Sequence, residues 1–163
     1  MNFKITNNNF YLNLIIILSI FILDRLTKLY VIYLDKINSG SEIFSSKLLN
    51  IYLIWNEGIA FGLFPFNDHF YYNSLTGIIA IITLVIFFFM IKTKGAEKYG
   101  FIMILGGSLG NIFDRLYYSA VPDFIDIHYQ NFHWFIFNVA DIFITTGVLL
   151  LISLELFFKK KTK

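Results

Sequence analysis

Cysteine is absent from the 163 residues, which removes thiol nucleophiles, thiolate metal sites and disulfides from consideration. Charge is scarce as well: Asp, Glu, Lys and Arg make up 15% of the chain against 57% hydrophobic residues, and the mean hydropathy is +0.67. A soluble domain of this length could not bury so much apolar surface, so the chain is expected in a membrane. The net charge of +2 is small. Basic residues gather at the ends of apolar segments rather than in a patch interleaved with stacking aromatics, which argues against a nucleic-acid partner. Internal repeats and low-complexity stretches are lacking. The three histidines, His69, His128 and His133, form no H-E-x-x-H pattern, so neither a metal nor a cofactor is expected.

What the chain has in abundance is apolar runs. Four spans are predicted, at about 10–34, 70–91, 98–116 and 138–158, each near the length needed to cross a bilayer core. They define an α-helical integral membrane protein with a single membrane-embedded domain over 1–163. The first span runs into Asp24-Arg25 without a small-residue cleavage pattern and is read as a retained helix. Lys4, Lys92, Lys94, Lys98 and the lysines at 159–161 and 163 put both termini on the cytoplasmic side. Segments 35–69 and 117–137 then become outer loops. The first reads as β-rich on either side of Asn56-Glu57-Gly58, with Trp55, Phe61, Phe64 and Phe66 suited to the water–lipid boundary. The second shares that aromatic bias, and the two together are expected to make a small extracytoplasmic platform, the alternative being an aromatic belt that only anchors the helices.

Against this background the acids stand out. With this topology Asp24, Asp114, Asp123 and Asp141 converge on one level near the outer face, with Arg25, Lys28 and Arg115 close by. Ionisable groups at membrane depth are costly and point to function. Asn138 is placed to cap the fourth span, leaving Asp141 in its first turn where the helix dipole favours an ionised carboxylate. Asp123 follows Pro122 and is expected to begin a presented loop segment. Asp114 and Arg115 point about 100° apart on a helix and read as scaffold, each paired elsewhere, with Arg115 expected to neutralise a buried acid. Gly106 and Gly110 form a G-x-x-x-G face expected to bring the fourth span toward the third. Two carboxylates brought close share a proton, which is the chemistry of an aspartic peptidase. Taken singly, each acid is better read plainly, Asp141 as a helix-terminal acid and Asp123 as a loop acid.

Five blocks occur in order along nearly the whole chain: D-R-L-T-K (24–28), N-E-G-I-A-F-G (56–62), G-G-S-L-G-N-I-F-D-R-L (106–116), V-P-D-F-I-D (121–126) and F-N-V-A-D (137–141). In this the sequence resembles the bacterial lipoprotein signal peptidases, or signal peptidase II. The resemblance implies a four-helix inner-membrane aspartic peptidase that cuts prolipoproteins before a diacylglyceryl-modified cysteine. It implies Asp123 and Asp141 as the catalytic pair, supported by Asp24, Asn56, Gly107, Asn111, Asp114, Arg115 and Asn138, with Asp126 a noncatalytic acid. The implied partners are diacylglyceryl-modified prolipoproteins and membrane lipid, and the implied state is a monomer. Ile59, Ser108 and Pro122 depart from the family's usual residues.

Two other readings compete. Gly106-Gly107-Ser108-Leu109-Gly110 fits the G-x-S-x-G of serine hydrolases, but that motif needs a strand–turn–helix setting and here lies in an apolar helix. Intramembrane acids with an arginine also suit a proton-coupled transporter or a small channel subunit, which would need polar groups near the midplane. On the inner side only Glu155 offers one.

Overall fold

The computed structural model describes residues 7–58 and 69–157. Among them the order is α1 (Asn7–Ile37), β1 (Phe44–Ser45), β2 (Leu49–Asn56), α2 (His69–Lys92), α3 (Glu97–Tyr118), β3 (Val121–Tyr129), β4 (Phe132–Phe137) and α4 (Val139–Phe157). Helix α3 packs against the other three helices. A core of Ile17, Met90, Ile102 and Leu105 joins α1, α2 and α3.

The distribution of residues is inverted relative to a water-soluble bundle. Asp24, Lys28 and Asp114 are fully buried, whereas Ile81, Leu84 and Leu156 are each more than 60% exposed. Apolar side chains facing out around buried charge are stable when the surroundings are lipid. Tyr72–Lys92 of α2 and Val139–Phe157 of α4 are long and apolar enough to cross a membrane, with mean hydropathies of 2.7 and 2.0.

Glycines set how closely the helices approach. A Cβ at Gly107 would collide with the Ala140 carbonyl oxygen of α4, and one at Gly147 would lie 2.7 Å from the Gly100 carbonyl oxygen of α3. The G-x-x-x-G face, however, receives α1 rather than α4: Gly106 lies against Ile20 and Gly110 against the Asp24 carboxylate. The expectation for that face is therefore corrected. Gly107 points about 100° from Gly106 on the helix, and it is this residue, with Gly100 and Gly147, that admits α4.

The strands within 44–56 and 121–137 form one antiparallel sheet in the order β1-β2-β3-β4. Segment 117–137 is thus not simply a loop. After α3, Ser119 takes a left-handed backbone (φ 57°) that ends the helix, and β3 and β4 follow as a hairpin closed at Gln130 and Asn131. Register places Asn56 opposite Val121, Ile54 opposite Asp123 and Asn50 opposite Asp126. Pro122 pairs with Trp55 on β2, while β4 pairs with β3 only from Ile125 onward. Its missing N–H therefore costs no bond to β4. Of the expected aromatic platform, Trp55 packs on Tyr118 at 5.2 Å, while Phe61, Phe64 and Phe66, like Ile59, fall outside the described residues.

Gly147→Ala should destabilise the protein by about 1–3 kcal/mol, since its Cβ meets backbone, whereas Gly77→Ala, with nothing within 4 Å, should leave stability unchanged or slightly raised. Thermal unfolding in detergent checks the contrast, and equal losses would contradict the close α3–α4 approach.

Candidate active site

A cavity of about 380 Å³ opens where β2, β3, α3 and α4 meet, lined on its polar side by Asn56, Asn111, Arg115, Asp123 and Asp141. Asp123 comes from β3, buried to 3% exposure, and is not a presented loop residue as its position after Pro122 suggests. Strand pairing with Ile54 holds it. Asp141 comes from the first turn of α4.

Asn138 joins the two carboxylates. Its Nδ2 donates to Asp123 Oδ1 at 2.6 Å, its Oδ1 accepts from the Asp141 N–H at 3.1 Å, and its own N–H donates to Asp141 Oδ2 at 3.2 Å. The last two bonds are the reciprocal capping arrangement expected at this helix start. The remaining carboxylate oxygens are met by two further asparagines, Asn56 Nδ2 on Asp123 Oδ2 and Asn111 Nδ2 on Asp141 Oδ1, both at 2.8 Å.

In all three asparagines the amide can point only one way. The oxygen of Asn56 accepts from the Gly58 N–H at 2.9 Å, that of Asn111 from Lys28 Nζ at 2.8 Å, and that of Asn138 from the Asp141 N–H. Each of those partners is a donor with nothing to accept, so each NH2 must face a carboxylate.

Behind this layer lies a charged one. Lys28 Nζ donates to Asp24 Oδ2 at 2.8 Å and Asp114 Oδ2 at 2.6 Å as well as to Asn111. Arg25 pairs with the other oxygen of Asp114 and lies over the Phe113 ring, 4.7 Å from its centroid. Asp24 Oδ1 accepts from the Ala140 N–H at 2.9 Å, a second cap on α4. Arg115 donates to the Asn111 and Gly58 carbonyl oxygens, each at 3.3 Å. It forms no ion pair with an acid among the described residues. The expectation that Arg115 neutralises a buried acid is corrected: Arg25 and Lys28 do so, and Arg115 ties α3 to the turn after β2.

Every expected site residue lies in this assembly, with Gly107 setting the α3–α4 distance that lets Asn111 reach Asp141. Sequence alone places Lys28 and Arg25 only as neighbours of the acids; the structure makes them direct partners of Asp24 and Asp114. The signal for Lys28 was its i, i+4 spacing from Asp24 on an apolar helix, which makes a lone lysine there improbable. Asp126 lies apart from the cavity. It is fully buried and accepts from His133 Nδ1 at 2.8 Å and Asn50 Nδ2 at 3.5 Å, joining β2, β3 and β4. Ser108 sits in mid-helix without the strand–turn–helix setting of a nucleophile elbow.

Burial pushes the Asp123 carboxyl up to about 7, helped by the charge of Asp141 and opposed by the bonds from Asn56 and Asn138 and by Lys28. Such a group holds its proton into the neutral range and can donate it.

This lipid-facing helical bundle is the fold of a class of bacterial membrane enzymes. The fold is similar to that of two solved bacterial membrane enzymes, one matching with a TM-score of 0.68 at 27% identity over 93% of both chains, the other with a TM-score of 0.68 at 28% identity over 90% of this chain and 93% of that one. Residues 16–158 match the signal peptidase (SPase) II family. The chain is 53% identical to the lipoprotein signal peptidase of Pelagibacter ubique over 97% of its own length and 95% of the relative's. It is 36% identical to that of Anaplasma phagocytophilum over 89% and 92%. The chain belongs to the signal peptidase II family and is a peptidase.

Removing the Lys28 charge in Lys28→Met should free the Asn111 amide to turn and leave Asp24 without its ammonium partner. Turnover should fall by about tenfold or more and thermal stability by about 3 kcal/mol or more, while Asp126→Asn should leave turnover within about threefold of the parent. Turnover and unfolding measured side by side in detergent test both, and an inactive Asp126→Asn would reverse the assignment of the two acids in β3.

Proposed function

We propose that the chain is a membrane aspartic endopeptidase that releases signal peptides from prolipoproteins by cutting before a diacylglyceryl-modified cysteine, with Asp123 and Asp141 as its catalytic pair. The observation that carries this is the placement of both carboxylates on one cavity, every oxygen held by an oriented donor and one carboxyl pushed up to about 7.

The pair enters the reaction with one shared proton. The buried cations Arg25, Lys28 and Arg115 stand against the fixed anions Asp24 and Asp114. A single further negative charge on the pair makes the set neutral, which favours one proton on two carboxylates. The ionised carboxylate takes a proton from water as the water oxygen bonds to the scissile carbonyl carbon, and the protonated one gives its proton to the carbonyl oxygen. The resulting gem-diol collapses when a hydroxyl proton returns through the carboxylates to the amide nitrogen. The C–N bond then breaks, leaving a carboxylic acid on the signal peptide and an amine on the cysteine.

The finer topology belongs to the same proposal: four spans formed by α1 to α4, both termini cytoplasmic, and the sheet and carboxylates near the outer face, where water reaches them. A single copy supplies both carboxylates, so a monomer suffices, with membrane lipid as its surroundings. The apolar core of Ile17, Met90, Ile102 and Leu105 fills the bundle away from the charged layer. This supports a peptidase over a transporter, which would need a polar path there.

Asp123→Asn and Asp141→Asn should each lower turnover about a hundredfold to ten-thousandfold, and the double variant should be hardly worse than either, because the pair acts as a unit. Cleavage of a diacylglyceryl-modified prolipoprotein, with the unlipidated precursor as control, provides the measurement; multiplying losses, or equal cleavage of both substrates, would refute the proposal.

A raised carboxyl pKa also predicts the direction of the pH profile. The proton donor is present below about 7 and lost above it, so kcat/KM should decline on the alkaline side, with an apparent pKa belonging to the pair. A profile flat through pH 9 would exclude a carboxylic acid as the donor.

A further inference from the structure

The inner part of the cavity is walled by Ile79, Ile144, Val148 and Leu149, yet two hydroxyl residues, Ser108 and Thr145, stand among them. Ser108 precedes Asn111 by three residues on α3, and Thr145 follows Asp141 by four on α4, so each lies one helical turn, about 5 Å, deeper than the residue above it. The two flank the same close contact, in which Gly107 meets Ala140 and Ile144.

Neither hydroxyl is engaged by another group among the described residues. In the helices Thr27, Thr76, Thr83 and Thr146 all donate back to a carbonyl three or four residues earlier, the usual way a helical threonine satisfies its O–H in apolar surroundings. Thr145, exposed on its helix, makes no such bond, and the buried Ser108, 8% exposed, makes none among the described residues either. A buried donor at Ser108 and an exposed one at Thr145, set in an apolar wall beneath a carboxylate pair, suit an occupant that brings acceptors.

A peptide substrate brings them. A signal peptide crosses the bilayer as a helix, but a bond can be cleaved between two carboxylates only when its chain is locally unwound. Unwinding strips the last helical carbonyls of their N–H partners at membrane depth, where an unsatisfied carbonyl is costly. An extended chain advances about 3.3–3.6 Å per residue, so groups about 5 Å from the cut belong to the first or second residue on its N-terminal side.

We infer that the Ser108 and Thr145 hydroxyls are substrate-binding groups that donate hydrogen bonds to the backbone carbonyls of the unwound signal-peptide segment just before the scissile bond. The inference rests on the peptidase reading above and adds to it the groups that hold the substrate backbone. It makes Ser108 a binding residue rather than a nucleophile.

The test compares the parent enzyme with Ser108→Ala, Thr145→Val and the double variant on two synthetic lipid-modified prolipoprotein peptides. One has normal amides. The other has the amide before the scissile bond replaced by an ester, whose carbonyl is a weaker acceptor. Each single substitution should lower kcat/KM about threefold to tenfold, mainly through KM, with unfolding in detergent unchanged. The parent should prefer amide over ester by a similar factor, and the double variant should lose that preference. Variants within twofold of the parent, or a double variant that still discriminates as the parent does, would overturn the inference. Failure of the catalytic pair would appear separately, as turnover retained in Asp141→Asn; the amide–ester comparison is read only in enzymes that cut.

Discussion

A single buried ammonium holds the interior together. Lys28 reaches Asp24, Asn111 and Asp114 at once, and all four residues are at least nine-tenths buried. Removing a charge from water costs several kcal/mol, and the interaction is tolerable only because each acceptor would itself be stranded without the lysine. Through Asp24 the ammonium fixes the start of α4, and through Asn111 it fixes which end of an amide faces Asp141. The carboxylate pair thus inherits its geometry from α1, an element that contributes no group to the cavity wall.

The order of layers explains why three asparagines are needed. In the proposed mechanism the carboxylate pair exchanges protons, and direct ion pairs would work against this by holding both groups ionised. Neutral amides give hydrogen bonds without that bias, but an amide is ambiguous unless its oxygen is also engaged. Lys28, the Gly58 N–H and the Asp141 N–H remove the ambiguity one asparagine at a time. Lys28 acts through an amide, engaging the Asn111 oxygen rather than the Asp141 carboxylate itself.

Much of this was legible in the sequence. The apolar runs gave the helices nearly to their ends because lipid leaves few alternatives to a helix, and the spacing of Asn138 and Asp141 gave a cap by local chemistry alone. Pairings between distant segments were harder. The G-x-x-x-G pattern announces a close approach but not which helix makes it, and it is α1 that arrives at Gly106 and Gly110. Segment 117–137 contains two turn-breaking features, Ser119 and Gln130 with φ of 57° and 53°, that neither residue type advertises. Its strands depend on pairing with β2, which is about 70 residues away in sequence. Arg115 was assigned an acid on charge alone, where the structure gives it carbonyls.

Asn138 occupies the junction between the last strand and the last helix, touching Asp123 on the sheet and Asp141 on the bundle. Any tilt of the sheet relative to the bundle must stretch these bonds together, so the sheet and the helices are geared to one another through Asn138. A protease free in the bilayer would threaten every neighbouring helix. In the mechanism proposed above, the competent arrangement therefore depends on the sheet being seated on the bundle, so the fold restricts cutting as well as permitting it.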